Sequence, residues 1–489
     1  MKIKNILVAI CLSVFLSNCS IDKIEPNNLL VEDNVVRDGE SASLLLNSAY
    51  VLFRTNGDSA GALEINQEII YALNVAGEQF SAFPVGFVED FITNTVEADD
   101  PDLKAIYINQ YKVINTVNFL IEALEAGKAS DLNDDETNAM IAEARTIRAI
   151  AHFKLLRIFG QFYDLNSIYG IVVRTEPARG AVFSARNTVQ ETYDAIVGDL
   201  EFAAANGPSG IPHYRVSAVT AQAYLAKVQL YIGDYTNAAN TATAVINNSD
   251  GYTLEQTYDD IFFNRWDSSE VLFALFSGDG RTTEAAPTAF LPAIYSPFFL
   301  PPSESFLTLA DAQDGVIGDA ELFTFSSGLD TRFSFGYNFN NPNNQNNPSV
   351  VGVPGNVKYP YDISAPNGNT TYLLRLAEVY LIFAEAEARR DGGDLNAALA
   401  RLNELRTRAT GIELKTLTDK ATLLADIRNE KRLELYIENA EPWFDLVRYD
   451  ILGDLDASTL KPTLTSQNKF IYPIPQSALA SNNLLKQNP

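Results

Sequence analysis

The chain reads as mostly α-helical, an array of antiparallel helical hairpins interrupted by one long loop-rich insertion that carries short strands. Three observations predict this. Apolar residues recur at three- and four-residue steps over most of the length. Two separated segments repeat one plan of helix, Gly-Asp turn and helix. Between residues 251 and 370 the helical period gives way to Pro, Gly, Asn and aromatic residues.

In chain order, helices are expected around Ser41 to Ala72 and from Asp102 to Ala126, where Ile106, Val113, Val117, Leu120 and Leu124 share a stripe that Gly127 ends. From Thr137, Met140, Ala144, Ile147, Ala151, Leu155 and Ile158 form the next stripe, and Gly160 is its stop. Ser217 is an N-cap candidate for a helix running to Gly233-Asp234-Tyr235, followed by one carrying Ala238, Ala242 and Val245. Tyr372 to Arg390 is expected to be helical with Leu376, Val379, Phe383 and Ala386 on one side, ended by Gly392-Gly393. Asp394 then caps a helix with Leu395, Ala398, Leu402 and Leu405.

In both hairpins an alanine follows the turn aspartate by four residues (Ala238, Ala398), which lets paired helices approach closely. That is the tetratricopeptide pattern and implies a stacked solenoid, the earlier helices supplying the repeats that two units lack. The insertion holds Phe290, Tyr295, Phe298, Phe299, Pro301-Pro302, Tyr337, Phe339 and the Asn-rich run Asn340 to Pro348, with Val271 to Phe276 as a strand. Loops of this length in a compact protein usually carry function.

The N-terminus begins with Lys2 and Lys4, followed by an apolar run, Ile6 to Leu16, too short to span a bilayer. Residues 1–18 read as a signal peptide, and Leu16-Ser17-Asn18-Cys19 resembles the bacterial lipobox, which makes Cys19 the lipidation site. A mature chain of residues 19–489 forms one domain, with its helical scaffold over 40–250 and 371–450 and the insertion between. The cysteines are Cys11 and Cys19, so the mature chain keeps no free thiol for a disulfide, a nucleophile or a metal. Acyl chains on Cys19 would stabilise attachment by about 0.8 kcal/mol per buried methylene.

Composition excludes several functions. A net charge of −26, from 36 Lys and Arg against 62 Asp and Glu, argues against nucleic acid and, unless a local basic patch exists, against polyanionic ligands. Histidine is limited to His152 and His213, too few for a multi-histidine metal site, and a Ser-His-Asp triad would need a coincidence. No Asp/Glu pair sits at a recognisable strand-end motif, so the chain reads as a non-enzyme. Asp131 to Glu136 and Asp311 to Gly315 lack the spacing of a calcium loop, and the first reads as helix N-terminal charge. No cofactor and no metal are expected.

A sugar or peptide platform needs aromatic faces on loops, edged by groups that bond hydroxyls. Two stretches qualify. The first supplies Glu78, Phe80, Phe83 and Phe87 with Asn94, and the second supplies Tyr295, Phe298 and Phe299.

Five further stretches resemble the SusD/RagB outer-membrane lipoproteins of Bacteroidetes. They are the arginine-alanine helix Ala144 to Gly160, Asp330-Thr331-Arg332, Leu374 to Ala386, Asn429 to Leu435 with Trp443 to Arg448, and Tyr472 to Gln476 leading to Gln487-Asn488-Pro489. Where the family commonly has Gly-x-Arg before the tryptophan, this chain has Asn439-Ala440-Glu441-Pro442. The resemblance implies a binding protein anchored in the outer membrane and facing the exterior. It would cover a SusC-like TonB-dependent transporter and pass it oligosaccharides or, in the RagB branch, peptides. Within the motifs, Arg375, Glu378, Glu430, Arg432, Asp445 and Arg448 are expected to pair and hold helices together, and Trp266 and Trp443 to pack in the core. Two other readings remain: a lipid-anchored scaffold that binds only protein, and a surface hydrolase.

Overall fold

The computed structural model describes residues 35–54, 78, 89–276, 302–311, 330–337, 358, 370–409, 412–436 and 438–489. Cys19, Phe80, Phe83, Phe87, Tyr295, Phe298 and Phe299 lie outside them. Among the described residues no helix is long and apolar enough to cross a membrane.

The N-terminal scaffold consists of α1 (Gly39–Arg54), the short α2 (Glu89–Thr93), α3 (Pro101–Glu125), α4 (Asp134–Phe159), α5 (Val189–Asn206), α6 (Ala218–Tyr231) and α7 (Tyr235–Ile246). From α4 to α7 each helix packs on the one before it, and α1 packs on α3. The expected stripes are buried: Val113, Val117, Leu120, Ile147, Ala151 and Leu155 are all essentially closed to solvent. Helix α4 starts at Asp134 rather than Thr137, because Asn133 accepts from Glu136 N–H and Glu136 answers with its carboxylate on Asn133 N–H.

The insertion holds α8 (Tyr258–Asn264), a 3₁₀ turn (Arg265–Asp267), strand β1 (Val271–Phe276), α9 (Glu304–Asp311) and α10 (Thr331–Tyr337). The chain then returns as β2 (Thr370–Arg375), α11 (Leu376–Arg389), α12 (Leu395–Arg408), α13 (Lys420–Glu434), α14 (Glu441–Ile451), α15 (Ala457–Leu460) and α16 (Gln476–Ser481). Helix α7 packs on α11, so the stacked hairpins continue from one half of the chain into the other as though the insertion were absent. The mostly helical, tetratricopeptide-like fold expected from the sequence is the one observed.

The two repeat turns are built alike. Gly233 (φ 79°) and Gly392 (φ 67°) take the left-handed conformation that a side chain would resist. Asp234 then accepts from Asn237 N–H at 3.2 Å and Asp394 from Asn396 N–H at 2.9 Å, opening the second helix of each pair. Ala238 and Ala398 are completely buried.

One element differs from expectation. Tyr372 to Arg375 belong to β2, not to the following helix, and β2 pairs antiparallel with β1 (Ala274 opposite Tyr372, Leu275 opposite Thr371). Thr370, Thr371 and Tyr372 favour a pleated, half-buried surface, and the run Leu373-Leu374 suits either structure. The ribbon brings Arg375 against Glu270, whose backbone carbonyl accepts from Leu376 N–H at 2.9 Å.

Trp266 and Trp443 are core residues, as expected. At the departure Asn439-Ala440-Glu441-Pro442 the chain still makes a left-handed turn, with φ 47° at Asn439 and 62° at Ala440. Such a conformation costs a non-glycine residue about 1–2 kcal/mol. Asn439 Nδ2 donating to Leu373 O at 2.9 Å and Trp443 N–H to Ala440 O at 3.0 Å hold it in place.

Candidate functional site

Helix α13 is the mounting rail between the scaffold and the loops. Its residues 428 to 434 point in several directions, and each direction carries charge of one sign. Arg428 and Arg432, one turn apart, face Glu78. Glu430 and Glu434, also one turn apart, face Arg332 of α10, which Asp330 holds as well at 2.8 Å. Lys431 faces the scaffold through Glu385 (2.7 Å) and Asp445 (3.1 Å), and Arg448 joins them at 2.8 and 2.7 Å.

Around Glu434 the cations Arg332, Arg375, Arg406, Arg408 and Lys358 meet the carboxylates Asp330, Glu270, Glu430, Glu434 and Glu438, all buried or nearly so. The charges balance, which is the condition for keeping them out of water. Burial alone would raise the Glu434 carboxyl, but Arg408, Arg375 and Arg332 hold it far below the usual carboxylate range. Burial likewise works against the Arg332 charge, and Asp330 and Glu430 outweigh it. The expected pairing role of Arg375, Glu378, Glu430, Arg432, Asp445 and Arg448 is therefore what the structure shows. Breaking such a pair from one side costs about 3–5 kcal/mol.

Glu78 stands at the head of the first candidate stretch. Its carboxylate is ion-paired to Arg428, and its carbonyl accepts from Arg432 Nη2 at 3.0 Å and from the Ser303 hydroxyl at 2.6 Å. Glu78 is only 1% exposed. A carboxylate closed to solvent and ion-paired to an arginine anchors the loop root in this structure. Ser303 follows Phe299 by four residues and opens α9, its Oγ accepting from Phe306 N–H at 3.1 Å. The roots of the two candidate stretches thus meet at Glu78, which rests on α13.

Asn94 goes elsewhere. It is buried in a left-handed turn (φ 55°) after α2, and its Oδ1 accepts from Thr463 Oγ at 2.8 Å. It lines a cleft of about 360 Å³ with Lys469, Tyr472 and the terminal Gln487 to Pro489. Asn94 and Glu78 therefore sit on different walls, tied to different parts of the C-terminal half.

Sequence reasoning missed Ser303 and Arg428. The Pro301-Pro302-Ser303-Glu304 sequence is a helix-start signal that would have identified Ser303 as a cap. Nothing local identifies its partner 225 residues away.

His152 is wholly buried on α4 and accepts at Nε2 from Arg174 N–H at 3.2 Å. Burial, with Arg148 and Arg174 nearby, pushes it down to about 3, so it is neutral and structural. Among the described residues no group of three His, Cys, Asp or Glu could hold a metal ion.

Comparison with known proteins agrees with this architecture. The profile described as SusD family matches residues 325–489, and one described as starch-binding associating with outer membrane matches residues 36–230. SusD-like protein P2 of Formosa agariphila is 26% identical over 98% of both chains, and a SusD-like protein of Bacteroides ovatus is 27% identical over 73% of this chain and 68% of its own. A SusD superfamily protein from Bacteroides thetaiotaomicron superposes with a TM-score of 0.70 at 24% identity, covering 92% of this chain and 99% of its own. A laminarin-binding SusD-like protein does so at 0.67 with 20% identity, covering 93% and 99%. On matches to both halves of the sequence and a shared fold across nearly its whole length, the chain belongs to the SusD/RagB family.

Proposed function

We propose that the protein is a cell-surface lipoprotein that captures oligosaccharides and delivers them to a SusC-like TonB-dependent transporter in the outer membrane, without catalysis. Cys19 carries the lipid anchor, the helical hairpins dock the transporter, and aromatic residues of the two loop stretches hold the glycan. The observation that carries this reading is the meeting of Ser303 with Glu78, which is itself held by α13. Phe80 lies two residues from one root and Phe299 four from the other, within about 14 Å of extended chain. Stacking on sugar C–H faces needs several aromatic rings in reach of one ligand, and the common root supports the reading that the two stretches supply them. The laminarin-binding relative supports a glycan, and the RagB branch supports a peptide as the second reading.

Affinity electrophoresis and titration calorimetry against polysaccharide and peptide panels, laminarin included, test the proposal. Binding of a glycan at a Kd of about 1 mM or tighter, with no product released, is the expected result. Binding of peptides alone would favour the second reading. Binding of neither class would leave a protein-binding scaffold, and product release would indicate a hydrolase.

A further inference from the structure

A second cleft lies away from the loop roots, between α3, the segment after α4 and α16. Its volume is about 400 Å³, and its walls include Tyr111, Lys112, Arg174, Val182, Ser477 and Ser481. None of its lining residues is Asp or Glu. That is unusual surroundings for a cation in a chain with 62 acidic and 36 basic residues.

Arg174 is the centre of this cleft. Its backbone is fixed on both sides, the N–H donating to His152 Nε2 at 3.2 Å and the carbonyl accepting from Asn118 Nδ2 at 3.2 Å. Its guanidinium lies 5.0 Å from the centroid of the Tyr111 ring, half-buried. Among the described residues that guanidinium has neither a hydrogen-bond acceptor nor a carboxylate partner. Arg148, Arg157 and Arg332, by contrast, each face a carboxylate within ion-pair distance. A partly desolvated fork of N–H donors held without an acceptor is costly unless a ligand supplies one, and its geometry matches the two oxygens of a carboxylate or sulfate. Lys112 is exposed and adds a second positive charge at the rim. Ser477 and Ser481, one turn apart on α16, offer hydroxyls. Apolar surface stands beside these groups: Ile108 in the lining and Phe183 next to Val182 are 41% and 59% exposed.

We infer that this cleft is a second saccharide site, selective for a sugar unit that carries a carboxylate or sulfate group, with Arg174 as the anion-binding residue. Apolar C–H faces of the sugar would lie toward Ile108 and Val182, and its hydroxyls toward the serines. The site is separate from the loop stretches and stands or falls independently of ligand capture there.

Titration calorimetry on the full-length protein in detergent tests it, with an oligogalacturonate, a sulfated galactan oligosaccharide and a neutral galactan oligosaccharide of equal length as probes. At least one acidic probe should bind more tightly than the neutral one, and raising salt should weaken that preference. Arg174→Gln should lower acidic affinity by about tenfold or more, the loss of one charge-assisted fork, and leave neutral binding unchanged. Val182→Glu, which adds an internal counter-anion at the partly exposed wall, should do the same without touching Arg174. Binding of the uronate alone or the sulfate alone supports the site and identifies its anion. Equal binding of acidic and neutral probes, or unchanged acidic affinity in both folded variants, overturns it. Neutral binding without any acidic binding also overturns it while leaving capture intact.

Discussion

The Ser303 hydroxyl donates to the Glu78 carbonyl across 2.6 Å, joining positions 225 residues apart. Arg428 and Arg432 of α13 close over the same residue from the other side. Because Glu78 is buried and ion-paired, Glu78→Gln should loosen the loop root without unfolding the scaffold. Its removal leaves Arg428 facing a neutral amide, so ligand affinity should fall by about tenfold or more, for roughly 1.4 kcal/mol of lost organisation. Helical circular dichroism of the variant should match the wild type. Calorimetry with the best-binding glycan checks the first statement, and unchanged affinity contradicts it.

Glu441 and Glu378 share Lys227, at 2.6 and 2.7 Å, but Glu441 also binds Arg157 at 2.7 Å and Tyr231 at 3.1 Å. Two cations therefore depend on Glu441 and one on Glu378. Glu441→Gln should cost about 3 kcal/mol or more, because it takes a carboxylate from two buried cations, and Glu378→Gln only about 1 kcal/mol, because Lys227 keeps Glu441. Urea denaturation of the two variants at one pH decides the order.

Burial pushes the Glu378 carboxyl up to about 7, with the Glu441 charge adding to it and Lys227 opposing. A carboxyl raised in the folded state binds more protons there than in the unfolded chain, so its contribution is present below the unfolded value and is lost as pH rises toward 7. Between about pH 4.5 and 7, wild-type stability relative to Glu378→Gln should therefore decline with increasing pH. Denaturation midpoints of both proteins across that range test the sign.

Gly392 and Gly180 isolate the conformational role of the repeat turn. An added methyl meets no atom within 4 Å at either position, but only Gly392 has positive φ, at 67°. Gly392→Ala should cost about 1 kcal/mol from left-handed strain alone. Gly180→Ala should be neutral or stabilise by up to about 1 kcal/mol, by restricting the unfolded chain. Equal effects would remove the argument for the turn.

Much of the scaffold was legible because helix periods, caps and Gly-Asp turns are local. Ser217 caps through Thr220 as expected, and Ala238 and Ala398 are buried where the repeat plan puts them. The charged motif residues were legible as pairing groups because they lie among otherwise apolar residues, as Arg375 of β2 and Glu378 of α11 do. Tyr372 to Arg375 was misread because a short apolar run has no decisive period, and its strand state depends on Val271 to Phe276 across a long excursion. The anchoring of Glu78 was not legible, because an acidic residue beside phenylalanines suits an exposed sugar platform as well as a buried anchor, and its partner Arg428 lies 350 residues away.

The most direct measurement is the glycan affinity of Phe80→Ala, Phe298→Ala and the double variant, by calorimetry on the full-length protein. If both stretches hold one ligand, each single change should weaken binding by about fivefold or more, the worth of a lost ring contact, and the double change should abolish measurable binding. Wild-type affinity in both single variants, with the fold intact, would contradict capture between loops that share the Glu78–Ser303 root.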